Sequence, residues 1–150
     1  MQGFLSSYAQ IWKRAAPVTT TPPADLSAVE EALIGALGEA VSTAPERLRA
    51  YVADTYWPAL YAADAGAPIA RPDVVVRPRS EEDVTAVLRL ADAHGVPVVP
   101  WGGGSGTQGG AVAINGGLVV DLRGLDTIIE IDDVSMTVTC LLYTSDAADE

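Results

Sequence analysis

Six of the nine residues from Gly102 to Gly110 are glycine, in the run Pro100-Trp101-Gly102-Gly103-Gly104-Ser105-Gly106-Thr107-Gln108-Gly109-Gly110. So few side chains leave the backbone N–H groups open to a partner, and successive N–H groups turned toward one point form a concavity that binds anions. The chemistry expected here is phosphate binding, with the hydroxyls of Ser105 and Thr107 as further donors. A flexible linker would be flanked by polar sequence. Instead the loop lies between two apolar, strand-like runs, Val96-Pro97-Val98-Val99 and Gly117-Leu118-Val119-Val120-Asp121-Leu122.

Two familiar phosphate motifs fail on this stretch. Gly104-Ser105-Gly106-Thr107-Gln108-Gly109 satisfies G-x-G-x-x-G, but a Rossmann turn must open a helix whose N-terminus receives the pyrophosphate. After Gly110 the chain runs through Ala111-Val112-Ala113-Ile114-Asn115-Gly116-Gly117 into another apolar run, with no room for a helix. A Walker A loop needs a lysine before Ser or Thr, and the last lysine of the chain is Lys13. What remains is a strand, glycine loop, strand unit that holds a diphosphate through backbone and hydroxyl donors.

The elements that must position this loop are written around it. Val74-Val75-Val76, bounded by Pro72 and Pro78, reads as a buried strand. Ser80 caps a helix with Asp83 reaching back, Glu81 and Glu82 suit its dipole, and Val84, Val87, Leu88 and Ala91 form its apolar stripe. His94 and Gly95 end that helix, the histidine suiting the last carbonyls rather than serving as a catalytic base. The crossover leaves the glycine loop at the carboxyl end of its strand, where α/β proteins bind ligands.

Upstream, Ser27 and Glu30 read as a capping box for a helix carrying Val29, Ala32, Leu33, Ala36 and Leu37 to a stop at Gly38. Thr43 is expected to cap a second helix, with Pro45 in its first turn, Glu46 completing the box, and Leu48, Tyr51 and Val52 facing inward. Tyr51, Tyr56, Trp57 and Tyr61 are expected to fill a core rather than stack on a ligand ring. Downstream, Ile128 to Asp132 and Met136 to Thr139 read as two strands, with Asp132-Asp133 a solvated turn rather than an acid/base pair.

In order and spacing, the Pro72 to Val84 segment, the helix, His94 to Pro100, the glycine loop and Gly116 to Leu122 together resemble the FAD-linked oxidases of the vanillyl-alcohol oxidase type. This is the PCMH-type FAD-binding fold, and the resemblance runs from about Asp25 to Thr139. It is strongest to glycolate and D-lactate dehydrogenase-like flavoproteins and to alkyldihydroxyacetonephosphate synthase-like proteins. The resemblance implies an α+β fold with an α/β-like first lobe: N-terminal helices, then strand-helix-strand, the glycine loop and further strands. The domain is truncated on this view, since the second FAD lobe and the substrate cap domain are missing. FAD is the implied cofactor, held at Pro100, Trp101, Gly102, Gly103, Gly104, Ser105, Gly106, Thr107, Gly109 and Gly110.

The same resemblance implies a small-molecule substrate that passes a hydride to the flavin, and an unidentified electron acceptor. A 2-hydroxy acid of the glycolate or D-lactate kind is the leading substrate class. The synthase-like alternative exchanges an acyl for an alkyl group without net oxidation. In the family the substrate pocket and its acid/base groups come from later parts of the protein, so the catalytic residues are unknown and the fragment alone is expected to be inactive. Relatives with attached flavin can carry a histidine in the loop region; with none here, the FAD is expected to be non-covalent.

The net charge of −11 includes Asp146, Asp149 and Glu150, and the rest of the chain stays acidic without a basic stripe. Nucleic acid and anionic membranes are therefore poor partners. The single cysteine, Cys140, excludes an internal disulfide or a cysteine-built metal site, so no metal is expected. Residues 1–24 read as an extension and linker, with Phe4, Leu5, Tyr8, Ile11 and Trp12 near helical spacing. That stretch is too short and polar to span a membrane, and Lys13-Arg14 follow the apolar residues, the reverse of a signal peptide, so a cytoplasmic protein is expected.

Cys140 to Glu150 resembles the translation of a sequencing adapter and is expected to be a non-native tail without convincing packing; a genuine acidic terminus is the alternative. From a different function class, a non-catalytic anion-binding module also fits the loop. The reading frame beyond Thr139 discriminates the two.

Overall fold

Three antiparallel and two parallel strand pairings, rather than one uniform pattern, organise the described part of the chain. The computed structural model describes residues 26–140 and 144–146, so the readings of residues 1–25 and of most of the tail lie outside the described residues. Helix α1 (Leu26–Leu37) is followed by a 3-10 turn at Gly38–Ala40 and a short strand β1 (Val41–Ser42). Next come α2 (Pro45–Leu48), a 3-10 turn at Arg49–Tyr51, α3 (Trp57–Asp64), strand β2 (Val74–Val76) and helix α4 (Glu81–His94). Strands β3 (Val98–Trp101) and β4 (Leu118–Asp121) flank the glycine loop, and β5 (Ile128–Asp132), β6 (Thr137–Cys140) and β7 (Thr144–Asp146) form a second, antiparallel sheet.

The first sheet has the order β1-β2-β4-β3, with β2, β4 and β3 parallel and β1 antiparallel at the edge. Because side chains alternate along a strand, the apolar runs Val74-Val75-Val76 and Leu118-Val119-Val120 serve two cores at once. Val74, Val76, Leu118 and Val120 meet Val29, Leu33, Val87, Ala91 and Val96 on the helical side. Val75 and Val119 point the other way and meet Tyr51, Trp101 and Ala113. The expected mixed fold, with helices first and the glycine loop between two strands, is the one observed, and those two strands are parallel neighbours.

Helix α4 follows its sequence signals closely. Ser80 Oγ accepts from the Asp83 N–H at 3.1 Å, and Gly95 at φ 64° caps the C-terminus directly after His94. Asp83 reaches back one residue further than a capping box requires, accepting from the Arg79 N–H at 2.8 Å. One member of the stripe is corrected: Leu88 is exposed and Leu90 packs on the core instead. Leu88 and Leu90 stand about 60° to either side of the Val87–Ala91 face, and the side that meets the core is the one carrying Leu90.

The upstream caps differ from expectation. Leu26 is already helical, which puts Ser27 inside the first turn rather than at the cap, and Ala36 is exposed. The residue preceding α2 is Ala44, with no side-chain cap, because the chain is still extended as it leaves β1; Pro45 occupies the first turn as expected. Of the four aromatics, Tyr51 is buried, whereas Trp57 and Tyr61 are exposed, since α3 buries only Ala59.

In the second sheet, the Asp132 carboxylate accepts from the N–H groups of Val134 and Ser135, at 2.9 and 3.0 Å, which makes it a turn residue. The tail, expected to lack convincing packing, does take part in strand pairing. Cys140 closes β6 opposite Ile128, and Thr144–Asp146 pair with Thr139, Val138 and Thr137 through backbone hydrogen bonds available to almost any sequence.

Candidate functional site

Parallel neighbours cannot be joined by a tight turn, so the chain leaving β3 must travel back before it enters β4. The glycine loop is the outer part of that return, and no helix follows it. Residues 111–114 then cover the sheet, burying Val112 and Ala113, and Asn115-Gly116-Gly117 turns the chain into β4. Gly117 has φ 78°, its N–H donates to the Asp73 carboxylate at 2.6 Å, and a Cβ there would meet the Pro97 carbonyl. The exit of the loop is thereby fixed between the starts of β2 and β3.

The underside of the loop rests on residues from the α2–α3 connection. The Thr55 N–H donates to the Gly104 carbonyl at 3.1 Å, and Thr55 Oγ1 lies 2.8 Å from both the Ser105 and the Gly106 carbonyl oxygens. Buried Asp54 accepts from the N–H groups of Tyr56 and Ala111, at 3.0 and 3.4 Å. Two aromatic rings support the left-handed glycines: a Cβ on Gly104, at φ 66°, would stand 2.6 Å from Trp101 Cζ2, and one on Gly109, at φ 78°, would stand 3.1 Å from Tyr56 Cδ1. At these two positions both the backbone and the space beneath require glycine.

The upper side is open. Gly102, Gly103, Ser105, Gly106, Thr107 and Gly110 are exposed, and a Cβ on Gly102 or Gly110 would meet nothing within 4 Å. None of the N–H groups from Gly103 to Gly110 donates to another described residue. The loop thus presents a row of donors with their own acceptors turned away, as a diphosphate with no lysine partner requires. Exposed Pro100 leads into it. Trp101 is placed beneath rather than on the open side, its indole buried and packed edge-on against Tyr51 at 5.0 Å and 73°.

At the end of β4 the register sets Asp121 opposite Trp101. Its fully buried carboxylate receives Arg123 in a two-pronged pair, Nε to Oδ1 and Nη2 to Oδ2, both at 2.8 Å, and the Tyr51 hydroxyl donates to Oδ2 at 2.8 Å. Burial opposes ionisation of Asp121, but the Arg123 and Tyr51 hydrogen bonds outweigh it and hold the carboxyl below its usual range. Burial and then the Asp121 partner push the Tyr51 phenol up, keeping it a donor. The nearby open groove, of about 1220 Å³ and lined by Arg47, Tyr51, Arg77 and Arg79, contains none of the loop residues.

Asp54, Thr55 and Tyr56 were not singled out as site residues from sequence, nor was Asp121. Their contacts join segments some 50 to 70 positions apart, and no local spacing marks them. Among the described residues no group of His, Cys, Asp or Glu is arranged to hold a metal, and no helix is long and apolar enough to cross a membrane.

Residues 72–140 match the family model described as FAD binding domain. Among curated proteins, the chain is similar to glycolate oxidase subunit GlcD of Bacillus subtilis, 37% identical over 68 residues, which are 45% of this chain and 14% of that protein. It is also similar to D-2-hydroxyglutarate dehydrogenase of Xanthomonas citri pv. viticola, 46% identical over 68 residues, again 45% and 14% of the two chains. The chain thus matches about one seventh of the length of these relatives. Among solved structures, alkyldihydroxyacetonephosphate synthase aligns at TM-score 0.69 and 23% identity, over 80% of this chain and 23% of that one. The 4-ethylphenol oxidase from Gulosibacter chungangensis aligns at TM-score 0.61 and 18% identity, over 84% and 23%. At these identities the structures establish the fold.

Proposed function

We propose, from the match of residues 72–140 to the FAD binding domain model, that the chain is the first lobe of a flavoprotein that oxidises a 2-hydroxy acid, with the glycine loop holding the diphosphate of FAD. The observation that carries this is the loop itself: N–H groups from Gly103 to Gly110 without an acceptor among the described residues, over carbonyls drawn to Thr55. In this role the backbone of Gly102 to Gly110 and the hydroxyls of Ser105 and Thr107 bind the diphosphate, and Pro100 and Trp101 set the loop's exit from the sheet. When bound, FAD would supply the hydride acceptor. The chain's own part is placement of the cofactor, and the groups that act on substrate belong to sequence other than residues 25–139.

Glycolate, D-lactate and D-2-hydroxyglutarate, the compounds in the names of the curated relatives, share a hydroxyl beside a carboxylate. This supports the 2-hydroxy acid class over the alkyl-transfer alternative, whose support is fold likeness alone. We assign residues 25–139 to the FAD-binding lobe and residues 140–150 to an adapter-derived tail. An independent genomic read of the locus is expected to diverge at or just after Thr139; recovery of the same eleven codons makes the acidic terminus real. A lone cysteine and an acidic surface suit a cytoplasmic protein that binds neither nucleic acid nor anionic membrane.

The direct test uses the full-length gene product. Purified protein is expected to be yellow, to reduce an artificial electron acceptor with one of the three acids, and to release its flavin into the supernatant on acid precipitation. The non-covalent assignment rests on the absence of a histidine from the loop, His94 standing at the end of α4. Flavin retained in the pellet on a peptide within residues 25–139 would refute it, and colourless protein with no response to added FAD would refute the function.

A further inference from the structure

We propose that Thr55 is the residue that turns the glycine loop into an anion receptor, acting as a positioning residue for the diphosphate without touching it. The proposal rests on the assignment of the loop to FAD and names what sets its geometry. Three successive carbonyls, those of Gly104, Ser105 and Gly106, converge on this one residue: the first takes the Thr55 N–H, and the other two share its single hydroxyl proton at 2.8 Å each. A trans peptide is planar, with its C=O and N–H pointing in opposite directions. Fixing those three carbonyls downward therefore fixes the N–H groups of Ser105, Gly106 and Thr107 upward, on the exposed side.

Nothing else among the described residues holds these three peptide planes. The glycines impose no preference of their own, since glycine visits both signs of φ with similar ease. Asp54 acts further along, on the Ala111 N–H, and the rings of Trp101 and Tyr56 limit how far Gly104 and Gly109 can sink without orienting the peptides between them. Thr55 is exposed and contributes little to the core, so its side chain can be altered while the sheet and α4 remain intact.

The test is FAD titration of the full-length apoprotein, followed by quenching of flavin fluorescence, for wild type, Thr55→Val and Thr55→Ser. Thr55→Val keeps the shape and the backbone N–H but removes the hydroxyl, and is expected to weaken FAD binding about tenfold, the scale of one lost hydrogen-bonding group. Thr55→Ser is expected to stay within about twofold of wild type, a rescue that a merely structural role for the methyl group would not give. The unfolding midpoint of the apoprotein is expected to change little in either variant. Wild-type affinity in Thr55→Val, or equal weakening in Thr55→Ser, overturns the proposal while leaving the FAD assignment standing. Failure of wild-type apoprotein to bind FAD overturns the assignment and the proposal together. If Thr55→Val does not yield folded protein, Thr55→Ala passes through the same titrations with the same expected loss, and wild-type affinity in it is equally fatal.

Discussion

Gly104→Val is expected to strip the full-length protein of flavin, with at least about a hundredfold loss of FAD affinity and little change in helical signal. Two independent causes add at this position. A β-branched residue at φ 66° occupies a region that L-residues adopt at a cost of about 1–2 kcal/mol. Its Cβ would also stand 2.6 Å from Trp101 Cζ2, and the indole cannot retreat because Tyr51 packs against it and Asp121 holds Tyr51. The loop must therefore lift, losing the Thr55 contacts that orient its peptides. Gly103→Val is the informative companion. Gly103 has no left-handed φ, and a Cβ there comes within 4 Å only of Ser105 Oγ, at 3.8 Å, so that variant should fold like wild type and exclude FAD only by occupying ligand space. Flavin absorbance at the wild-type level in purified Gly104→Val would defeat the assignment of the loop.

The contrast between those two glycines marks where the sequence stops being informative. The run of glycines, the apolar strands beside it and the absence of room for a helix are local facts, and they place the loop between β3 and β4. Val74-Val75-Val76 announces a strand covered on both faces, and Ser80, His94 and Gly95 delimit α4, because caps and apolar runs act over a few residues. Which glycine leans on Trp101, and which residue draws the loop's carbonyls down, depends on partners about fifty positions away. Local spacing is also too coarse to choose Leu90 over Leu88, or to see that Thr43 lies in the extended chain leaving β1. The support of the site was illegible for the same reason as the strand order β1-β2-β4-β3: both are fixed by packing in three dimensions.

Asp121→Asn is expected to destabilise the fold by about 2–3 kcal/mol at neutral pH, the scale of losing charge-assisted hydrogen bonds at a buried carboxylate. The substitution preserves shape but turns an amide N–H₂ toward either the Arg123 fork or the Tyr51 hydroxyl, replacing an acceptor with a donor. Arg123 is half exposed, and solvent screening keeps the loss below that of a fully buried pair. The pH dependence follows from the direction of the shift. The Asp121 carboxyl is held below its ordinary value of 3.8 in the folded state, so its stabilisation is fully present above that value and is lost as pH falls through the lower, folded-state value. Urea unfolding of wild type and variant should therefore differ most near pH 7 and converge under acid conditions below about pH 4. A gap that persists undiminished into that range would mean that the shape of the side chain, rather than the charge on Asp121, secures Tyr51 beneath Trp101 and the loop above it.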